Sequence, residues 1–180
     1  ANTHQLVMNT RKAGTYIEGI KTIRADVLLF VDADDSFRIE DMGKMINIVR
    51  EGYYELVVGT KDLTAENRPP VRKLMSFVKR QLTKTLLPQG VYDSQTGLKA
   101  MNAISARYIL PHLNVSTGLA IDLEILNIAK KYRLRTLQIP VECIDQEGSH
   151  IDIVKDSISF IKNIVKIHRR NKDIRVNGKK

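Results

Sequence analysis

Val27-Leu28-Leu29-Phe30-Val31-Asp32-Ala33-Asp34 is the stretch on which the rest of the chain turns. Five consecutive apolar residues suit a strand buried on both faces of a parallel sheet. The carboxylates that follow mark where that strand leaves the core. Asp32 and Asp34 depart on the same side, because strand side chains alternate with a period of two. The carboxyl end of a buried strand is where open α/β sheets bind ligands. Two convergent carboxylates there suit a hard divalent cation and, with it, a diphosphate. A solvated turn with helix-capping aspartates is the plain alternative for the tripeptide alone. The buried-type run in front of it favours a site.

Working outward, Leu6-Val7-Met8 reads as a short strand. It leads through Asn9-Thr10-Arg11-Lys12-Ala13-Gly14 into a helix with Tyr16, Ile17, Ile20 and Ile23 on one side. Past the acidic cluster, residues 40–50 form a helix with Met42, Met45, Ile46 and Val49 inward, and residues 55–59 form another buried strand. Strand and helix in alternation predict an α/β fold, a Rossmann-like, mostly parallel sheet flanked by helices. A polar loop then ends at Pro69-Pro70, and Val71, Leu74, Met75, Val78, Leu82 and Leu86 repeat at helical spacing. Pro88-Gln89-Gly90 stops that helix. Helices near 104–110 and 119–132, a strand over 137–144 and an amphipathic helix over 153–168 complete the pattern, before a charged tail.

The 180 residues suit one domain with a sizeable core. A hydrophobic fraction of 43% with 27% charged residues is ordinary for a globular chain, but the net charge of +9 predicts affinity for anions. The single cysteine, Cys143, forms no intrachain disulfide and reads as a small buried hydrophobe, which suits a reducing, cytoplasmic setting. No apolar stretch approaches the ~20 residues that span a bilayer, and no signal-peptide pattern opens the chain. The expectation is a soluble protein, or one that rests on the cytoplasmic membrane face without crossing it. Nucleic acid is not an expected partner, because the basic residues lack aromatic interleaving and no zinc or recognition-helix pattern is present.

Three chemistries use such an acidic cluster. A calcium loop of the EF-hand type needs glycine at Phe37 and an acid at Gly43, and fails on both. A haloacid dehalogenase-type phosphatase would use Asp32 as nucleophile and Asp34 as acid/base, and would need a later acidic pair, for which only Asp122 and Glu124 offer themselves. The third is glycosyl transfer from a nucleotide sugar.

Here the chain resembles a known family. Residues 9–150 look like the later two-thirds of a family 2 inverting glycosyltransferase of the GT-A fold, and are most similar to the polyprenyl-phosphate sugar transferases of the dolichyl-phosphate mannose synthase group. Asn9 with Lys12-Ala13-Gly14 resembles that family's Asn-x-Gly-Lys segment, and residues 27–34 its strand and Asp-x-Asp. Val57-Val58-Gly59-Thr60-Lys61 resembles its Val-Val-Gly-Ser-Arg, and Asp93-Ser94-Gln95-Thr96-Gly97-Leu98-Lys99 its Asp-x-Gln-Thr-Gly-Phe-Lys. Asp122-Leu123-Glu124, Ile139-Pro140-Val141 and Gly148-Ser149-His150 resemble its Asp-x-Glu, Val-Pro-Val and Gly-Ser-Lys. The chain departs from the pattern at Ser36, Lys61 and His150, where the family has glutamine, arginine and a basic residue.

The resemblance implies a nucleoside-diphosphate sugar (GDP- or UDP-sugar) as donor and polyprenyl phosphate or a saccharide as acceptor. Mg²⁺ or Mn²⁺ would sit on the diphosphate, held by Asp34 with Asp32, which faces the ribose or sugar. Lys12 would meet the nucleotide or stay solvated. Lys61 would contact phosphate without arginine's planar fork. Arg72, Ser76 and Lys79 share one helical face, which either docks an acceptor phosphate or is simply the solvated side of an amphipathic helix. Asp93 would serve as base toward a sugar hydroxyl, whereas a lipid phosphate needs none, and Asp93 would then shape its turn. Asp122 and Glu124, two apart on a helix, do not face one site. Residues 1–150 are therefore expected to be the later portion of a GT-A domain, with the family's first strands absent, and 151–180 a basic amphipathic helix and tail. Val154, Ile158, Ile161, Ile164, Val165 and His168 form one stripe of that helix and Lys155, Lys162, Lys166 and Arg169 another, a pattern for packing on the domain or for lying on an anionic membrane surface. The alternative from another class is an inactive truncated relative acting as a scaffold.

Overall fold

The computed structural model describes residues 11–34, 36–61, 81, 83–94, 96–142 and 153–174, with the backbone alone for residues 11, 61 and 153–161. The apolar run before Asp32 forms β1 (Val27–Phe30), in which Leu28 and Phe30 are buried and Val27 and Leu29 half-buried. β2 (Leu56–Lys61) is the second apolar run, with Leu56, Val57 and Val58 wholly buried. β4 (Thr136–Val141) pairs with β2 in parallel, from Leu56 opposite Thr136 to Lys61 opposite Val141.

The remaining strand, β3 (Lys99–Asn102), was not foreseen. It lies between β1 and β2 and is antiparallel to both, with Phe30 opposite Lys99 on one side and Val58 opposite Lys99 on the other. The order is β1-β3-β2-β4, so three strands share one direction and the sheet is mixed. β3 is only four residues long and opens on a lysine, too short and too polar at its start to register as a buried strand by pattern.

Alternation along the strands divides the core into two layers. On one face Leu28, Phe30, Leu56, Val58 and Met101 pack against α1 (Arg11–Thr22), α3 (Ala103–Ile109), α4 (Ile121–Lys131) and α5 (Ile153–Asn171). On the other, Val57, Ala100, Ile139 and Val141 pack with Phe37 and with Met45 and Val49 of α2 (Ile39–Arg50). Asn102, where β3 turns into α3, accepts the Ser105 amide at 2.9 Å and caps that helix.

Every residue of α4 from Ile121 to Ala129 is buried. Its polar side chains Asp122, Glu124 and Asn127 are therefore carried into the interior, where each needs a partner. Helix α5 supplies two of them, Arg170 to Glu124 and Asn171 to Asn127. Ile164 and Ile167 enter the core, and buried Asn171 donates to Asn127 Oδ1 at 3.1 Å. The inward stripe thus runs through Ile164, Ile167 and Asn171, while Val165 and His168, which spacing grouped with Ile164, face solvent with Lys162, Lys166 and Arg169. No helix among the described residues is long and apolar enough to cross a membrane. The expected strand at Leu6-Val7-Met8, the helix over residues 71–80, Cys143 and the Gly148-Ser149-His150 segment lie outside the described residues.

Candidate active site

Asp32 and Asp34 follow β1 directly. Asp34 is exposed, and its Oδ1 accepts the Ser36 amide at 3.1 Å. Asp32 is half-buried and engaged: its Oδ1 lies 2.7 Å from Lys12 Nζ, in the first turn of α1. Lys12 Nζ is also 2.7 Å from Asp122 Oδ2, in the first turn of α4. Asp122 Oδ1 in turn lies 2.8 Å from Nζ of Lys99, the first residue of β3. Lys99 is wholly buried and donates as well to the Thr96 carbonyl. Two carboxylates and two ammonium groups therefore alternate inward from the surface as Asp32, Lys12, Asp122 and Lys99. Their charges cancel, which is the condition on which buried ions are tolerated.

The loop before β3 completes the arrangement. Asp93 Oδ2 accepts the Thr96 hydroxyl at 2.6 Å, and Gln138 of β4 clamps the loop by donating to the Asp93 carbonyl at 3.0 Å while accepting the Tyr92 amide at 2.9 Å. This places Gly97 against Asp32. A β-carbon on Gly97 would stand 1.8 Å from Asp32 Oδ2, so only glycine lets loop and carboxylate approach this closely.

Burial works against the charge on Lys12, but attraction to Asp122 and hydrogen bonds to Asp122 and Asp32 outweigh it and hold the ammonium above the usual lysine range. Tyr16 lies beneath, with Lys12 Nζ 5.5 Å from its ring centre and the Phe30 ring 4.7 Å away. Burial, reinforced by Asp122, pushes the Tyr16 phenol above its ordinary value, so it stays neutral. Its hydroxyl is buried with no hydrogen-bond partner among the described residues.

Glu124 faces elsewhere. Wholly buried, it accepts the Thr117 hydroxyl at 2.7 Å and the Asn114 amide at 3.3 Å, and pairs with Arg170 of α5. It fixes the loop before α4 and ties α5 to the domain. This matches the expectation that Asp122 and Glu124 serve different places.

Among the described residues no group of three or more His, Cys, Asp or Glu side chains could hold a metal ion. Asp32 already spends one oxygen on Lys12, and the other lies against Gly97. Asp34 is the carboxylate that faces outward. The donor set therefore fits a divalent cation shared between Asp34 and oxygens of a bound ligand, not one enclosed by protein. Of the residues expected at the site, Lys12 and Asp32 meet directly, Asp34 stands beside them, and Asp93 shapes the loop that reaches Asp32. The side chain of Lys61, at the end of β2, and Arg72, Ser76 and Lys79 lie outside the described residues. Sequence reading gave Lys99, Asp122 and Gly97 no part in holding the site. Their only signal was membership of short motifs, since the pairing of Lys99 with Asp122 spans 23 positions.

Solved structures share this architecture. Mannosyl-3-phosphoglycerate synthase from Rubrobacter xylanophilus superposes with a TM-score of 0.59 at 16% identity, over 93% of this chain and 54% of that one. Glucosyl-3-phosphoglycerate synthase from Mycobacterium tuberculosis, determined in complex with Mn²⁺, UDP-glucose and phosphoglyceric acid, gives 0.59 at 12% identity, over 93% and 56%. The fold is thus of the GT-A glycosyltransferase type. More specifically, the chain belongs to glycosyl transferase family 2, whose sequence profile matches residues 6–109, more than half its length. Similar relatives include dolichyl-phosphate beta-glucosyltransferases of Dictyostelium discoideum, 29% identical over 92% of this chain and 53% of that protein, and of Saccharomyces cerevisiae, 26% identical over 87% and 51%. The chain spans about half the length of these relatives. Membership of this family removes the phosphatase alternative, and the structure gives a reason of its own. The acidic pair that chemistry would need is split, with Asp122 committed to two lysines and Glu124 to Arg170.

Proposed function

We propose that this chain carries the metal-binding and acceptor-side portion of a glycosyltransferase domain that moves a sugar from a nucleoside-diphosphate sugar to polyprenyl phosphate. The observation that carries the reading is the exposed Asp34 carboxylate at the end of β1, next to an Asp32 whose charge Lys12 already balances. Mg²⁺ or Mn²⁺, held by Asp34 and the donor diphosphate, supplies charge stabilisation to the departing nucleoside diphosphate. Asp32, half-buried and held by Lys12, faces the ribose or sugar in this reading. The hydrogen bond that Asp93 accepts from Thr96 supports reading it as a shaping residue of its loop in preference to a catalytic base. That suits an acceptor needing no base, such as a phosphate monoester, whose second pKa of about 6 leaves it ionised at neutral pH. Lys61, Arg72, Ser76 and Lys79 are assigned to the acceptor phosphate. Exposed Lys162, Lys166 and Arg169 on α5 suit peripheral contact with an anionic cytoplasmic membrane face, at roughly 1 kcal/mol per basic residue.

Isothermal titration with UDP and GDP, with and without Mn²⁺, tests the donor side. Heat with one nucleotide that requires the metal, and that Asp34→Asn abolishes, is the expected result. Silence with both nucleotides in the presence of Mn²⁺ refutes the reading and leaves the scaffold alternative.

A further inference from the structure

We infer that Lys12 is a positioning residue, a latch that fixes the Asp32 carboxylate for its ligand, with the buried Asp122–Lys99 pair fixing the latch from behind. The inference rests on the proposed reading that Asp32 faces the donor. Charge counting separates it from a purely structural role. Asp122 is already neutralised by wholly buried Lys99 at 2.8 Å. The second ammonium, Lys12, is thus surplus to the interior, and the charge that balances it is Asp32, half-buried at the mouth. Asp32 is held on two sides, by Lys12 at one oxygen and by the bare Cα of Gly97 at the other, where a β-carbon would fall 1.8 Å away. Lys12 is itself seated, with Nζ 5.5 Å from the centre of the Tyr16 ring, which packs on Phe30 of β1. The strand that carries Asp32 and the helix that carries its latch are therefore in register through one aromatic pair. A carboxylate immobilised before the ligand arrives spares binding that ordering cost.

Lys12→Met cuts the link to Asp32 while leaving Asp122 paired with Lys99, so it tests the latch where Asp122→Asn risks unfolding the domain. Lys12→Met is expected to weaken Mn²⁺-dependent nucleoside-diphosphate binding about 10–100-fold, the range for partners that orient a ligand-binding group. In an Asp32→Asn background it is expected to add nothing. An equal loss in that background means Lys12 touches the nucleotide itself, and no loss in the native background means it orients nothing; either overturns the inference. A second readout needs no nucleotide. With ¹⁵N-lysine labelling, the Lys12 and Lys99 ammonium groups are expected as slowly exchanging resonances at neutral pH, assigned by Lys12→Met and Lys99→Met. Asp32→Asn is expected to shift the Lys12 signal and leave that of Lys99 in place. If the native chain binds neither UDP nor GDP, the functional reading fails and this resonance alone decides the latch: an unmoved Lys12 signal in Asp32→Asn overturns it.

Discussion

Asp122→Asn removes one negative charge and almost no volume, so its cost isolates the interior electrostatics. In the native fold Asp122 is 3% exposed and holds two ammonium groups, at 2.7 and 2.8 Å. After the change Lys12 still has Asp32, but among the described residues wholly buried Lys99 keeps only a neutral carbonyl, that of Thr96, and the new amide. Removing one member of a buried pair costs about 3–5 kcal/mol, because the other charge is left uncompensated in a medium that solvates it poorly. Against a total stability of roughly 5–15 kcal/mol, that is a large share. At about 2–4 °C per kcal/mol for a chain of this size, the midpoint should fall by roughly 6–20 °C. Urea titration followed by far-ultraviolet circular dichroism measures the loss, with an unchanged m-value confirming that the native state and not the unfolded one was altered. Adding Lys99→Met to Asp122→Asn should recover most of it, since an apolar side chain of similar length replaces the stranded charge. A loss below about 1 kcal/mol for Asp122→Asn, or a double variant no more stable than the single one, would refute this account of the charge chain.

Three further outcomes are expected. Gly97→Ala forces the Asp32 carboxylate away from the loop, so Mn²⁺-dependent nucleoside-diphosphate binding in calorimetry should fall while the unfolding free energy from urea titration changes by about 1–2 kcal/mol or less, since the half-buried carboxylate can yield toward solvent. Tyr16→Phe deletes a buried hydroxyl that lacks a partner among the described residues, and should raise stability by about 1 kcal/mol by the same denaturation assay. Stability should also depend on alkaline pH in a defined sense. Lys12 binds its proton more tightly folded than unfolded, so its contribution is complete below pH 10.5 and is lost as pH climbs above that value. Tyr16 acts in the same direction, because the unfolded phenol ionises from pH 10.0 upward while the folded one resists. Denaturation midpoints should stay level from pH 7 to about 9.5 and decline beyond, less steeply in Lys12→Met.

Where the chain writes its structure in hydrophobic period, the fold was legible. The runs that became β1 and β2, the α2 face of Met45 and Val49 and the α4 segment all emerged from pattern alone, as did the placing of Asp32 and Asp34 at a strand end. What escaped was decided by contacts across long stretches of chain. β3 looked unlike a strand because its first residue is a lysine, and that lysine is tolerated in the sheet only because Asp122 waits on a later helix. Asp93 lies in the loop where its motif placed it and accepts the Thr96 hydroxyl, a contact compatible with either role read for it, base or turn former. The inward line of α5 departs from the apolar stripe that spacing alone picks out. Its buried line includes a polar residue, Asn171, whose burial depends on an amide from α4 that no local pattern announces. Gly97 could be seen as a glycine in a motif, but not as the space into which Asp32 fits.

The central place of β3 also bears on how the molecule is made. β1 and β2 do not touch each other through hydrogen bonds; each waits for the same late strand, whose Lys99 pairs with Phe30 on one flank and Val58 on the other. During synthesis, therefore, the edges of β1 and β2 that β3 covers stay unpaired until the chain as far as residue 102 is available. Such non-local closure is slow, and its intermediates are prone to aggregate. Seating β3 carries Lys99 into the interior, where Asp122 of α4 balances its charge, so the two elements are expected to settle together. The Lys99–Asp122 pair is then also a place where assembly of the fold can fail, and lesions at either residue are expected to appear as poor yield of folded protein.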